Sequence, residues 1–179
     1  MKTHLRRSIL ASLILAISTL VIVHAQQPKK DSNKQMSDMA DEQMNKRGDH
    51  IMGFDHTKTT HHFLLQESGG SIEVTANSSD DVQSSEQIRM HLKHIAMMFA
   101  EGDFNAPMLI HAQTPPGVPV TQELKGEIKY NFEEIGRGAA VRISTKNPTA
   151  LKAIHEFLRF QIKEHKTGDS LDIPKQTDN

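Results

Sequence analysis

Hydrophobic and polar positions along this chain fall into short alternating runs and longer stripes spaced three and four apart. Thr60 to Leu65 and Ser71 to Ala76 read as two strands, with Ser68-Gly69-Gly70 as the turn between them. After a polar loop at 77–84, Ile88, His91, Leu92, Ile95, Met98 and Phe99 recur at helical spacing. Ser84 with Gln87 offers a capping box for that helix, and Gly102 a stop.

The second half repeats the order. Ile128, Tyr130 and Phe132 alternate with Lys129, Asn131 and Glu133, as in a strand with one wet face. Gly136-Arg137-Gly138 turns the chain into Val141, Ile143 and Thr145. Asn147 caps a final helix, Pro148 takes its first position, and Leu151, Ile154, Leu158 and Ile162 form its apolar stripe. Between the halves, 103–119 reads as a long connection. It holds a short buried strand at Met108-Leu109-Ile110 and a stiff loop from Thr114 to Pro119, with a helical turn at Val120 to Lys125 following.

The pattern predicts an α+β fold that is (ββα)2-like: a four-stranded antiparallel sheet with two main helices on one face. The other face is left to solvent, to the 103–119 connection, or to a second copy of the chain.

The N-terminus has a different pattern. Lys2, Arg6 and Arg7 precede an apolar run from Ile9 to Val23, and Val23-His24-Ala25 ends in a small residue. This is the layout of a signal peptide cut before Gln26, and the run is shorter than the ~20 residues a membrane helix needs. The expected organisation is a signal peptide at 1–25 and a polar, Met-bearing arm at 26–50, largely disordered or weakly helical. A single α+β domain follows at 51–169, then a tail at 170–179. The expected location is periplasmic or secreted, with no membrane span after cleavage.

Composition narrows the function classes. Removing 25 of the 179 residues leaves 154, one domain's worth of chain. Lys+Arg falls from 21 to 18 against 22 Asp+Glu, so the net charge is 18 less 22, or −4. An acidic chain without a basic stripe is a poor nucleic-acid binder. With no Cys, the fold has no disulfide and no thiol nucleophile.

Enzyme motifs fail. His155-Glu156 opens like a zinc-protease helix motif, but position 159 is Arg. There is no nucleophile elbow and no phosphate loop.

The remaining chemical signal is an excess of His and Met. Neutral imidazole binds Zn, Cu or Ni, and thioether sulfur favours Cu(I). His56, His61, His62 and His111 are the candidate imidazole ligands, with Met36, Met39, Met44 and Met52 as a flexible capture arm. Copper is favoured and zinc is the other candidate. Each histidine also has a plainer reading. His61 and His62 are neighbours on a strand and point to opposite faces. His91 and His155 lie on or beside buried stripes and read as core residues, and His165 reads as a helix-end dipole residue.

Three stretches together resemble a group of small exported bacterial proteins without an assigned function. They are Met52-Gly53-Phe54 with Lys58-Thr59-Thr60-His61-His62-Phe63, Gly102-Asp103-Phe104 with Pro107-Met108 and His111, and His155 to Ile162 running into His165-Lys166-Thr167-Gly168-Asp169. The resemblance spans about residues 47–170. It implies an exported bacterial domain and brings no site residues with it.

Two functional readings follow. The first is metal binding through His and Met without catalysis. The second is an envelope interaction module, binding a protein partner or forming a homodimer, with structural or pH-responsive histidines.

Overall fold

The computed structural model describes residues 32–174. The expected leader, residues 26–31 of the expected arm and residues 175–179 lie outside the described residues.

Four strands form one antiparallel sheet: β1 (Thr59–Gln66), β2 (Gly69–Ala76), β3 (Ile128–Ile135) and β4 (Gly138–Thr145), in the order β1-β2-β4-β3. The two hairpins join through their second strands, with Ile72 opposite Val141. Register then lines up Phe63, Ile72, Val141 and Phe132 across the sheet. Because side chains alternate, this row and its companions face one side. Helices α2 (Val82–Ala100) and α5 (Pro148–His165) cover that side. Ile88, Leu92 and Phe99 of α2 and Ile154, Phe157 and Leu158 of α5 complete one core with the sheet. Each such side chain contributes about 1.5–3 kcal/mol by leaving water. The expected fold is the observed one.

Several local expectations differ. Helix α2 starts earlier than the Ser84–Gln87 box implies. Asp81 is its N-cap, accepting from the Ser84 N–H at 3.0 Å and the Ser84 hydroxyl at 2.7 Å. A carboxylate there satisfies an orphan helix donor and complements the dipole. The Met108-Leu109-Ile110 run is helical, inside α3 (Asn105–His111). Three apolar residues carry no period, and no neighbouring strand edge receives them. The helix instead buries Ala106, Pro107, Ile110 and His111 and ends at Ala112 in the left-handed region.

The connection continues through α4 (Val118–Glu123), which packs on α5. Gly117 makes that approach feasible. Its φ is +83°, and a Cβ there would lie 2.1 Å from the Ala153 carbonyl oxygen. The connection therefore belongs to the helical layer and does not cover the sheet's bare face. That face carries Glu73 and Glu133 on either side of Arg142, which ion-pairs with both.

The segment expected as a weakly helical arm is one helix, α1 (Ser32–Met52), running past the expected boundary at residue 51. Its N-terminal half leaves Met36 and Met39 exposed, whereas Met44 is buried at 7%. Arg47 Nε donates to the Ile110 carbonyl at 2.8 Å, and Asp41 pairs with Lys166. These contacts hold the second half of α1 against α3 and the end of α5. The start of the expected tail also has partners: Arg159 Nε donates to the Leu171 carbonyl at 2.9 Å, and Ile173 packs against the core.

Candidate functional site

The space between the C-terminal half of α1, β1, α3 and the end of α5 gathers most of the buried imidazoles. Two cavities lie there. An inner chamber of about 60 Å³ is lined by His61, His91, His111, His165, Gln161 and Met52 among apolar side chains. An outer pocket of about 250 Å³ is lined by Met44, Met52, His56, His61 and His165 with threonines and Asn45. His61, His165, Met52 and Ile110 belong to both walls. The rings of His61 and His165 are near parallel, at 8° and 6.1 Å between centroids, and His111 meets His165 edge-on at 5.0 Å.

These histidines are held neutral. Burial, then the neighbouring His91, His56 and His62, pushes His61 down to about 4. Burial with His94 lowers His91 to about 4, and burial with His111 and His61 lowers His165 to about 3. Burial also lowers His111, partly offset by Gln161 and Glu164. Charging an imidazole there would strip its hydration, and the Glu164 carboxylate, with Oε2 3.9 Å from His111 Nδ1, offsets that cost only in part.

His111 Nε2 lies 3.0 Å from Gln161 Oε1. A carbonyl oxygen only accepts, so Nε2 carries the proton and the neutral ring leaves Nδ1 bare. His111 Nδ1, Gln161 Nε2 and His61 Nε2 are all enclosed without a hydrogen-bond partner.

A second constellation sits at the outer rim. Asp49 precedes the end of α1, and Asp55 caps a 3-10 turn at His56–Lys58. His56 Nδ1 lies 2.8 Å and 3.0 Å from the two Asp49 carboxylate oxygens, and the His56 N–H donates to Asp49 Oδ1 at 2.8 Å. Asp49, Asp55 and His56 each offer a ligand atom within 4.8 Å of the others, the one such group of His and carboxylates among the described residues. The side chains are part-exposed, and each carboxylate also serves the backbone. Asp55 Oδ1 accepts from the Thr57 N–H at 2.8 Å and from its hydroxyl at 2.6 Å.

No family model, curated protein or solved structure matches the chain. The chemistry therefore rests on the residues themselves.

The eight expected ligands do not meet at one point. His56, His61, Met44 and Met52 line the outer pocket, and His61, His111 and Met52 line the inner chamber. His62 is on the opposite face of β1, its Nδ1 2.8 Å from Asp169 Oδ1. Strand alternation requires that separation from His61. Asp169 also accepts from the Phe63 N–H at 2.9 Å and the Thr167 hydroxyl at 2.6 Å, so His62 belongs to a clasp at the sheet edge. Met36 and Met39 are 60% and 49% exposed, away from both cavities.

Sequence reasoning missed four participants. Asp49 and Asp55 appear only as neighbours of the histidines in the chain, and His91 and His165 read as structural. A signal for His91 was present, since a histidine in the middle of an apolar stripe needs either a partner or a purpose. His155 is the satisfied core histidine expected of such a position. Its Nε2 lies 2.9 Å from both the Gln66 and Gly69 carbonyl oxygens.

Proposed function

We propose that the protein is exported and binds a divalent transition metal without turnover, through His56, Asp49 and Asp55. The observation that carries this reading is the convergence of three ligand atoms within 4.8 Å at the rim of the outer pocket. An imidazole with two carboxylates is a nitrogen–oxygen donor set, suited to Zn2+ or Cu2+. For a given set of this kind Cu2+ binds more tightly than Zn2+, which keeps copper as the favoured ion. The thioethers are not part of this group, so the reading moves from Cu(I) capture by methionines to divalent binding. Metal at this nitrogen would take the place of the His56–Asp49 hydrogen bond, and because protons compete with metal for imidazole and carboxylate ligands, binding weakens as pH falls.

Calorimetric titration of protein produced from the full-length chain with Cu2+ and Zn2+ tests this. His56→Ala and Asp49→Asn are expected to lower Cu2+ affinity by about tenfold or more, the scale of losing a ligand or its orienting partner. His62→Ala is expected to leave affinity unchanged. Equal affinity in all three variants would overturn the site. Export is checked by N-terminal sequencing of protein recovered outside the cytoplasm, with Gln26 expected as the first residue.

A further inference from the structure

The inner chamber has a different chemistry from the rim. Its lining holds four imidazoles, Gln161 and Met52 in an otherwise apolar wall, and no Asp, Glu, Lys or Arg. A charged guest would lose its hydration there and meet no opposite charge. The metal group does not extend inward either, since no three of these ring nitrogens converge within 4.8 Å as the rim ligands do. The guest that fits is neutral.

Polarity within the chamber is nevertheless unspent. His61 Nε2, His111 Nδ1 and Gln161 Nε2 are enclosed without partners, and all three residues line the space. Gln161 and His111 are both buried, at 3% and 8% exposure. The amide nitrogen is a donor and a bare imidazole nitrogen an acceptor, so a hydroxyl, which does both, can pair with either, although Gln161 lies at the Nε2 end of the His111 ring and one hydroxyl does not bridge it to Nδ1. Volume sets the size. About 60 Å³ exceeds the minimum for one water and corresponds to roughly two waters or one molecule of three or four heavy atoms. Ile72, Val74, Phe99 and Phe157 leave most of that molecule's surface against carbon.

We propose that this chamber is a binding site for a small neutral hydroxyl compound of the short-chain alcohol class. Its hydroxyl pairs with one of the enclosed imidazole or amide nitrogens, and its carbons pack on the core side chains. The site is independent of metal at His56, and the test is done with chelator present.

The probe is 1-propanol, followed by NMR on labelled protein produced from the full-length chain. A saturable shift of the Gln161 side-chain amide and the His111 ring is expected, with NOEs from the propanol methyl to Val74 and Phe157. Ala106→Leu places added carbons in the chamber wall and is expected to abolish both signals with an unchanged sheet spectrum. NOEs from water alone to the Gln161 amide, with none from propanol, would overturn the proposal and leave the chamber hydrated. Propanol shifts that persist in Ala106→Leu would also overturn it, by placing the alcohol on the surface. If Ala106→Leu does not fold, the NOEs in the unaltered protein decide between the first two outcomes.

Discussion

What a histidine does in this protein follows from what its two ring nitrogens meet. His155 is 5% exposed and its Nε2 meets two carbonyl oxygens, those of Gln66 and Gly69, so Nε2 must donate. Those two carbonyls flank the β1–β2 turn, and the ring ties α5 to it. His155→Leu keeps most of the volume and removes the ring's hydrogen bonds to both carbonyls. A loss of about 0.5–1.5 kcal/mol is expected by urea unfolding, the net worth of a buried hydrogen bond. His155→Gln retains a donor and should recover part of it. Equal losses in the two variants would show that packing, not the hydrogen bond, sets the effect. His61, one residue from His62 in sequence, has an enclosed nitrogen with no partner, whereas His62 donates to Asp169. Strand alternation alone separates an unpaired ring nitrogen from a structural clasp.

At the level of elements, α1 is the part whose attachment is most local. Met44, Arg47 and the Asp41–Lys166 pair dock its second half, and the exposed ion pair is worth little by itself. Met44→Ala is expected to raise hydrogen exchange over residues 41–52, leaving protection in β2 and β4 as it was. Uniform loss of protection through the sheet would mean that α1 is integral to the global fold.

The elements also show where the chain is legible. Alternation at 128–133 and the stripe from Leu151 to Ile162 are local signals, and β3 and α5 appear where they predict. Met108-Leu109-Ile110 has no period to read, and the docking of α1 depends on surfaces that α3 and α5 supply from 60 or more residues away. The chamber is non-local for the same reason. His61 reaches it by strand register, His91 and His165 by the packing of two helices, and His111 by a helix that the apolar run does not announce. Residue types at those positions were readable, but their meeting was not. The rim group was closer to readable, because Asp49, Asp55 and His56 lie within eight positions.

For the whole molecule, the neutral imidazoles couple stability to pH in one direction. An exposed histidine of the unfolded chain titrates near 6.5, whereas His61 and His91 in the folded protein do so at about 4 and His165 at about 3. Between those values the unfolded chain binds more protons than the folded one, so stability falls as pH falls. The contribution is complete above about 6.5, the unfolded value, and drains away as pH drops toward 3–4. Each histidine can contribute at most about 1.4 kcal/mol per pH unit inside that window, and mutual repulsion among the rings makes their sum less than additive. Urea unfolding from pH 8 to pH 4.5 is therefore expected to give a plateau at the alkaline end and a steepening decline below about 6.5. His91→Phe, which replaces one titrating ring in the apolar stripe of α2, should flatten that decline without removing it. A profile with no break near 6.5, or one unchanged in His91→Phe, would mean that the imidazoles take up protons in the folded state without cost. The chamber would then have to be open to water at its inner wall.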